Sequence, residues 1–117
     1  MGKLTTHVLD TTRGRPAGGV AIELQRLEDG GWSTVASATT NADGRCDAPL
    51  LEQSSFVTGT YQLLFHLGDY FRTISGSQDA SPFLDIVPVR FALNGDGGHY
   101  HVPLVVTPWS YSTYRGS

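Results

Sequence analysis

The chain has 117 residues, of which 39% are hydrophobic and 16% are charged. This is long enough for one domain with a packed core and too apolar for a disordered tail. The net charge of −3 argues against a surface built for nucleic acid or an anionic membrane, since such surfaces are strongly basic. No apolar run approaches the roughly 20 residues that span a bilayer. We therefore expect one domain over residues 1–117, without nucleic-acid or membrane partners.

The cysteine content and the N-terminus predict a cytoplasmic location. The single cysteine, Cys46, cannot close an intrachain disulfide, which is typical of proteins in reducing compartments. The N-terminal residues enter a polar, alternating stretch at once, without the apolar segment of a secretory signal. A signal peptide that had been removed would leave the same sequence, so a periplasmic location stays open.

The first half of the chain predicts strands joined by glycine-rich turns. Apolar and polar residues alternate over residues 20–24, as expected of a half-buried strand. The turn EDGG at 28–31 connects this strand to a second one over residues 32–40, which predicts a hairpin. The turn NADGR at 41–45 contains an Asp-Gly pair suited to positive φ and presents Arg45 where a strand begins.

The middle of the chain predicts one more strand, followed by the only helix. Residues 60–67 alternate, with one strongly apolar side, and predict a strand. Residues 68–75 lack that alternation and predict a short helix capped by Asp69. The apolar side chains of this helix that we expect within reach of the sheet are Tyr70, Phe71 and Ile74.

The last third of the chain predicts strands at 86–93 and 99–108, and a final strand that begins the tail at 109–117. Each of the first two strands contains a proline, which we expect at an edge, a bulge or a strand end. Seven or eight strands at this spacing, with no long helix to make crossovers, favour two packed sheets. The predicted fold is an all-β antiparallel sandwich of seven to eight strands with one short helix.

Histidine is the side chain best suited to acid-base chemistry near neutral pH, and the chain has four. His99 and His101 share one strand face, which is most often a structural arrangement. A metal site would need a third ligand, which His7 supplies only if the first strand lies beside the penultimate one. His66 alternates with apolar residues, and Cys46 has no marked thiolate-activating neighbour, so neither is a catalytic candidate.

Three segments together resemble the transthyretin-related 5-hydroxyisourate hydrolases. They are TTHVLDTTRGRPA at 5–17, TNADGR at 40–45 and HYHVPLVVTPWSYSTYRGS at 99–117. The segments occur in the same order as in the family, and the terminal YRGS is the most specific because it includes the end of the chain. The resemblance implies a transthyretin-like β-sandwich that assembles as a homotetramer, a dimer of dimers.

The resemblance also implies the residues of the active site. The catalytic group is His7, Arg45 and His101, and the substrate-binding group is Arg45, Tyr114 and Ser117. In the family these residues meet where dimers join, along a central channel. Neither a metal nor a cofactor is expected. The substrate that the resemblance implies, 5-hydroxyisourate, already decays in water, so positioning of the reacting groups and preorganised charge are sufficient for a useful rate.

The implied reaction is the hydrolysis of 5-hydroxyisourate in urate degradation, and it matches these residue types. Adding water to a lactam carbonyl requires a base, a proton donor and a partner for the oxyanion. Either His7 or His101 activates the water, while the other orients it or protonates the leaving nitrogen. The guanidinium of Arg45 matches the carbonyl oxygens of a flat ring. Tyr114 and Ser117 are suited to hydrogen bonds with the ring edge or the water.

Two other functions remain open at this point. Transthyretin itself binds hormone in a similar channel without catalysis, and a fold does not fix a function. The set of His7, Arg45, His101 and the YRGS end favours the enzyme over such a carrier; the resemblance leaves His99 outside that set. A cell-surface adhesion module is the third alternative, and a linker, sequon or signal peptide would have supported it.

Overall fold

The computed structural model of the chain describes residues 2–76, 82–94 and 98–116. Within these residues the chain forms two β-sheets, one α-helix and a short 3₁₀ turn. The elements are β1 (Lys3–Asp10), β2 (Arg15–Pro16), β3 (Ala21–Glu28), β4 (Gly31–Thr39), β5 (Leu51–Glu52), the 3₁₀ turn (Gln53–Ser55), β6 (Gly59–His66), α1 (Leu67–Ser75), β7 (Ile86–Leu93), β8 (His99–Val106) and β9 (Tyr111–Thr113). Seven of the strands in the described residues have three or more residues. The predicted all-β sandwich with one short helix is confirmed.

The strands form a five-stranded and a four-stranded sheet. The first has the order β2-β1-β8-β9, with β5 also paired to β1, and the second has the order β4-β3-β6-β7. The hairpin predicted over residues 20–40 is the antiparallel pair β3 and β4. Sheet pairing is antiparallel except between β1 and β8, which run parallel. We did not predict this exception, because a parallel pair has no hairpin turn to reveal it and its two strands lie far apart in the sequence.

Apolar side chains from both sheets form one buried core. Tyr70 and Phe71 join it from α1 as predicted, whereas Ile74 is 39% exposed. The largest fully buried side chains are Tyr61, Phe65, Leu4, Ile22, Leu24, Leu63, Leu67, Leu93, Leu104, Val8, Val20 and Val87. Each such side chain stabilises the fold by about 1.5–3 kcal/mol. Since alternate residues of β1 and β8 are held in this core, the residues between them lie on the outer face of the sheet.

The helix α1 begins directly where β6 ends, and Asp69 does not cap it. The predicted cap is wrong because the backbone N–H groups of Leu67 and Gly68 both donate to the carbonyl of Asp85, at 3.0 Å each. These amides therefore have an acceptor without a side-chain cap. Asp69 lies in the first turn and accepts a hydrogen bond from Arg72 at 2.6 Å. No helix in the described part of the chain has the length and apolarity needed to cross a membrane.

The two strand prolines occupy different positions. Pro88 lies on β7, an edge strand of the four-stranded sheet, as predicted. Pro103 lies inside β8 instead of at an edge, a bulge or a strand end. On the β9 side, pairing ends at Leu104 and is followed only by an isolated bridge between His101 and Gly116. Pro103 therefore falls in a gap of that ladder, where its missing N–H breaks no pairing.

Candidate active site

The parallel pairing of β1 and β8 brings the predicted histidines together. Thr5 is opposite His101 in the register, and Lys3 is opposite His99. Because side chains alternate along a strand, His7 lies on the same outer face as Thr5. This face borders a cleft of about 360 Å³. The cleft is lined by Lys3, Thr5, Thr6, Arg45, Cys46, Ala48, His99 and His101.

The turn at 41–45 holds Arg45 beside His7. The backbone N–H of Arg45 donates to Oδ1 of Asn41 at 3.2 Å, and Arg45 forms an isolated antiparallel bridge with His7. Gly44 has a φ of +77°, and a Cβ at this position would clash with the backbone carbonyl oxygen of Val8. Only glycine meets both conditions without strain. The Asp-Gly turn predicted from the sequence therefore places Arg45 beside His7.

His7 has one ring nitrogen fixed as a donor. Its Nε2 lies 2.9 Å from the backbone carbonyl of Asp43, and a carbonyl oxygen only accepts, so Nε2 carries a proton. In the neutral ring, Nδ1 is then the nitrogen with a free lone pair. Burial lowers the pKa of His7, the charge of Arg45 lowers it further, and the contact with Asp43 opposes this shift. His7 is thus neutral at pH 7 and can accept a proton at Nδ1.

His101 is held through its other nitrogen. Nδ1 of His101 lies 2.8 Å from Oγ1 of Thr5, and the same oxygen lies 2.7 Å from Nε2 of His99. Burial lowers the pKa of His101, with smaller contributions from Arg45, His7 and His99. The ring centroids of His7 and His101 are 6.4 Å apart. One water or substrate atom between the two rings is therefore within reach of both.

The C-terminal tail contacts this site through Gly116. Its N–H donates to the carbonyl of His101 at 2.7 Å, and a Cβ at this position would lie 3.2 Å from Cδ2 of His101. Tyr114 is 62% exposed and borders a different groove of about 240 Å³, together with Arg115. Within one chain, Tyr114 is therefore apart from the histidines. The predicted substrate-binding residue Ser117 lies outside the described residues.

Thr5 and His99 are the residues of this site that the sequence did not lead us to assign a role. His99 was already seen to share a face with His101, and Thr5 lies two residues before His7 on β1. The missing information was the parallel register, which puts Thr5 opposite His101. A search for polar residues two positions from each candidate histidine would have found both residues.

The two side chains that we excluded as catalytic have other contacts. Nε2 of His66 lies 3.0 Å from a carboxylate oxygen of Glu23, on the four-stranded sheet. Burial, together with the charge of Asp47, raises the pKa of the Cys46 thiol. The thiol therefore stays protonated at neutral pH and is a poor nucleophile.

The same strand geometry bears on the alternative of a metal site. The first strand does lie beside the penultimate one, as that alternative required. Over residues 2–76, 82–94 and 98–116, however, no group of three or more His, Cys, Asp or Glu side chains is arranged to hold a metal ion. The three-ligand alternative therefore has no geometric support in this part of the chain.

Comparison with known proteins extends the resemblance to nearly the full length. Residues 4–116 match the model of the HIUase/Transthyretin family. The 5-hydroxyisourate hydrolase of Deinococcus radiodurans is 57% identical over 114 residues, which are 97% of this chain and 95% of that protein. The family resemblance inferred from three segments is thus confirmed.

Two solved structures, one of a hydrolase and one of a complex with thyroxine, support the fold. The 5-hydroxyisourate hydrolase of Klebsiella pneumoniae superposes with a TM-score of 0.81 and 34% identity, covering 100% of both chains. Transthyretin from sea bream, solved in complex with thyroxine, has a TM-score of 0.86 and 33% identity, covering 97% of this chain and 94% of that one. The transthyretin-like sandwich predicted from the sequence is confirmed by both.

Proposed function

The chain belongs to the HIUase/Transthyretin family and is a hydrolase, and we propose that its substrate is 5-hydroxyisourate. The proposed product is 2-oxo-4-hydroxy-4-carboxy-5-ureidoimidazoline, formed when water opens the six-membered ring. The observation that carries this proposal is the convergence of His7, Arg45 and His101, which come from β1, a turn and β8. Two neutral imidazoles beside a guanidinium supply the base and the positive charge that hydrolysis of a lactam requires.

In this mechanism His7 is the general base. The hydrogen bond from its Nε2 to Asp43 leaves Nδ1 free, and the lowered pKa keeps the ring neutral at pH 7. Nδ1 takes a proton from water as the water oxygen forms a bond with the lactam carbon. When the bond between that carbon and the ring nitrogen breaks, the same proton passes from Nδ1 to the nitrogen. His7 is thereby returned to its starting state, and no proton is lost from the site.

Arg45 stabilises the negative charge that develops on the carbonyl oxygen. Its guanidinium stays charged at all working pH values and presents several N–H donors in one plane. It lines the same cleft as His101. Hydrogen bonds to an oxyanion in a preorganised site commonly contribute more to the rate of such a reaction than any other effect. Arg45 also orients the flat ring by pairing with its neighbouring carbonyl oxygens.

His101 completes the site through Nε2. Thr5 occupies Nδ1 of His101, so Nε2 is the nitrogen left to contact substrate or the attacking water. The cleft beside it is bounded mostly by polar side chains, which suits a ring rich in carbonyl and N–H groups. No cofactor is part of this mechanism, since all the proton transfers are made by groups of the chain.

We propose that the active assembly is a homotetramer in which dimers meet at this face. The tail carries exposed aromatic side chains: Trp109 is 70%, Tyr111 44% and Tyr114 62% exposed. Aromatic residues are enriched at the centres of protein interfaces. Tyr114 and Ser117 then contact the substrate from the place where chains join. A solution mass of a single 12.6 kDa subunit in light scattering would contradict this assembly. The cytoplasmic location remains a prediction.

The direct test of the proposed function is the lifetime of the reaction intermediate. Urate oxidase acting on urate produces 5-hydroxyisourate, whose ultraviolet absorbance decays slowly on its own. Catalytic amounts of the chain should shorten that decay, and removal of residues 114–117 should abolish the effect. If the decay were unchanged while thyroxine bound to the protein, the chain would be a carrier like the sea bream protein, not the proposed enzyme.

A further inference from the structure

The hydroxyl of Thr5 lies between two histidine rings on the outer face of the five-stranded sheet. Its oxygen is 2.7 Å from Nε2 of His99 and 2.8 Å from Nδ1 of His101. Both distances are those of short hydrogen bonds. Thr5 alternates with Leu4 and Thr6, which are buried at 0% and 1% exposure, so its position on this face is fixed by the core.

A count of protons limits how these three groups can be bonded. A threonine hydroxyl has one proton, so it can donate to only one of the two ring nitrogens. At least one ring must therefore donate to the oxygen. If both rings donated, the hydroxyl proton would have no acceptor among the described residues. Solvent in the cleft would then have to accept that proton. We therefore compare the two arrangements that satisfy all three groups within the chain, in which the proton order runs either from His99 through Thr5 to His101 or in the reverse direction.

The protonation states of the two histidines favour the order that starts at His99. In that order His99 donates from Nε2, which it can do whether its ring is neutral or protonated. In the reverse order His99 must accept, which requires a neutral ring with its proton on Nδ1. Burial and the neighbouring basic groups lower the pKa of His101, so that ring is neutral and each order fits one of its two tautomers. Of the three protonation states of His99, two allow the first order and one allows the second. Lys3 and Arg45 are the other basic groups that border the cleft. Neither side chain can accept a hydrogen bond, so neither decides between the two orders.

We propose that Thr5 and His99 are positioning residues that hold His101 in the tautomer with its proton on Nε2. The inference rests on the proposed function and assigns a role to a histidine that the family resemblance left outside the site. Thr5 donates to Nδ1 of His101, so the neutral ring of His101 must carry its remaining proton on Nε2, the nitrogen that contacts the substrate.

This tautomer gives the two histidines of the reaction different tasks. His7, with its proton fixed on Nε2 by Asp43, presents a bare Nδ1 that accepts a proton. His101 presents an N–H that donates a hydrogen bond to a carbonyl oxygen of the substrate, next to Arg45. A neutral imidazole can serve as such a donor in catalysis without giving up its proton. Without Thr5 the ring of His101 would exchange between tautomers, and only one of them could donate from Nε2.

The tautomer can be measured directly by nitrogen NMR on protein labelled with ¹⁵N-histidine. Long-range proton-nitrogen spectra are recorded well above the ordinary histidine pKa of about 6.5, where the rings are neutral. The spectrum of His101 is assigned by its loss in His101→Asn. We expect a protonated Nε2 and a bare Nδ1 for His101 in the wild-type chain and in Thr5→Ser. In Thr5→Val and in His99→Phe we expect a mixture of both tautomers.

Kinetics supply the second readout. Thr5→Val should lower kcat about tenfold with little change in KM, since one hydrogen bond to a catalytic group is lost. Thr5→Ser, which keeps the hydroxyl, should retain most of kcat. The matched control is Thr34→Val, which removes an exposed hydroxyl that bonds Gln25 in the other sheet, and it should leave kcat unchanged. Urea unfolding of each variant separates misfolding from lost positioning.

The outcomes separate this inference from the proposed function. A wild-type chain that leaves the decay of 5-hydroxyisourate unchanged refutes the proposed function, while the NMR measurement still decides the tautomer. An Nδ1-protonated His101 in the wild-type chain overturns the inference even if the enzyme is active. A folded Thr5→Val variant with wild-type kcat overturns it as well. Loss of kcat in Thr5→Val, recovered in Thr5→Ser together with the Nε2 tautomer, supports it.

Discussion

The imidazole rings of His7 and His101 lie 6.4 Å apart between centroids, with an angle of 42° between their planes, although they belong to strands from opposite ends of the chain. Each ring is anchored by a different group: the carbonyl of Asp43 holds His7 and the hydroxyl of Thr5 holds His101. Neither ring nitrogen used for anchoring is available for chemistry. The two remaining nitrogens are therefore the reactive pair of the site.

Loss of either reactive histidine should remove most of the activity. We expect His7→Gln and His101→Asn each to lower kcat about a hundredfold or more, as is usual when a positioned acid-base group is removed. The control is His66→Gln, because His66 pairs with Glu23 on the other sheet and should retain activity. Rates are measured by the decay of 5-hydroxyisourate. Equal rates in all three variants would refute the assignment of the site.

Arg45 should not be replaceable by lysine. An ammonium group has the charge of the guanidinium but lacks its planar set of donors, so we expect Arg45→Lys to lower kcat/KM about tenfold or more while folding normally. Arg26→Lys serves as the control, since Arg26 forms a surface pair with Glu28 at 3.1 Å. A lysine variant with wild-type kcat/KM would show that charge alone is sufficient.

The pH dependence follows from the lowered pKa values of the two histidines. A protonated His7 has no lone pair, so activity is lost as the pH falls through its pKa. Because burial and Arg45 lower the pKa of His7 and of His101, the acid limb of kcat/KM should lie below about 6.5, the ordinary value.

Arg45→Gln tests the electrostatic part of this shift. Removal of the positive charge should raise the pKa of both histidines, but only part of the way, since burial is the larger cause. An NMR titration of the ring protons measures this without requiring activity. Arg26→Gln, on the other sheet, should leave both pKa values unchanged. Titration curves of His7 and His101 that are identical in wild type and Arg45→Gln would contradict the prediction.

The two glycines that touch the histidines should differ in their tolerance of a methyl group. Gly44→Ala forces a side chain into positive φ and against the carbonyl oxygen of Val8, and the conformational part alone costs about 1–2 kcal/mol. Gly116→Ala puts a methyl group 3.2 Å from Cδ2 of His101, so the ring must shift by a small amount. We expect urea unfolding to show a large loss of stability for Gly44→Ala only.

For Gly116→Ala the loss should appear in kcat, because the methyl group displaces a catalytic ring without straining the backbone. Gly14→Ala is a useful comparison for the stability measurement, since Gly14 also has a positive φ, of +68°, with no atom within 4 Å of the added Cβ. The Gly14→Ala variant therefore measures the loss of stability caused by a side chain at positive φ, without a steric clash. Equal unfolding free energies for Gly44→Ala and Gly14→Ala would show that the contact with Val8 is harmless.

Local patterns in the sequence were sufficient to predict much of the fold. The alternation over residues 20–24, the turn at 28–31 and the Asp-Gly turn at 41–45 each depend on neighbours a few residues away, and the structure has all three. The helix was predicted, but its start was not. The carbonyl of Asp85 satisfies the first amides of α1, and this residue is too distant in sequence for a local capping rule to include it.

The residues of the candidate site could not all be predicted from the periodicity of the sequence. Residue types and spacing pointed to histidines as candidates, and the resemblance selected His7, Arg45 and His101 from among them. Only the register of β1 with β8 connects Thr5 to His99 and His101. Register between strands that are not joined by a hairpin is decided by packing of the whole sheet. A local search finds Thr5 as a polar residue two positions from His7, but it does not show that Thr5 contacts the other two histidines.

The parallel pair of β1 and β8 also determines when this site can exist during synthesis. The contacts of Thr5 with the two histidines join residues 94 and 96 positions apart, and such long-range contacts form slowly because a large loop must close first. While β8 is still inside the ribosome exit tunnel, β1 can pair with β2 and β5 but lacks the strand that pairs with it along its whole length. The nascent polypeptide therefore has no reaction centre until β8 has left the tunnel.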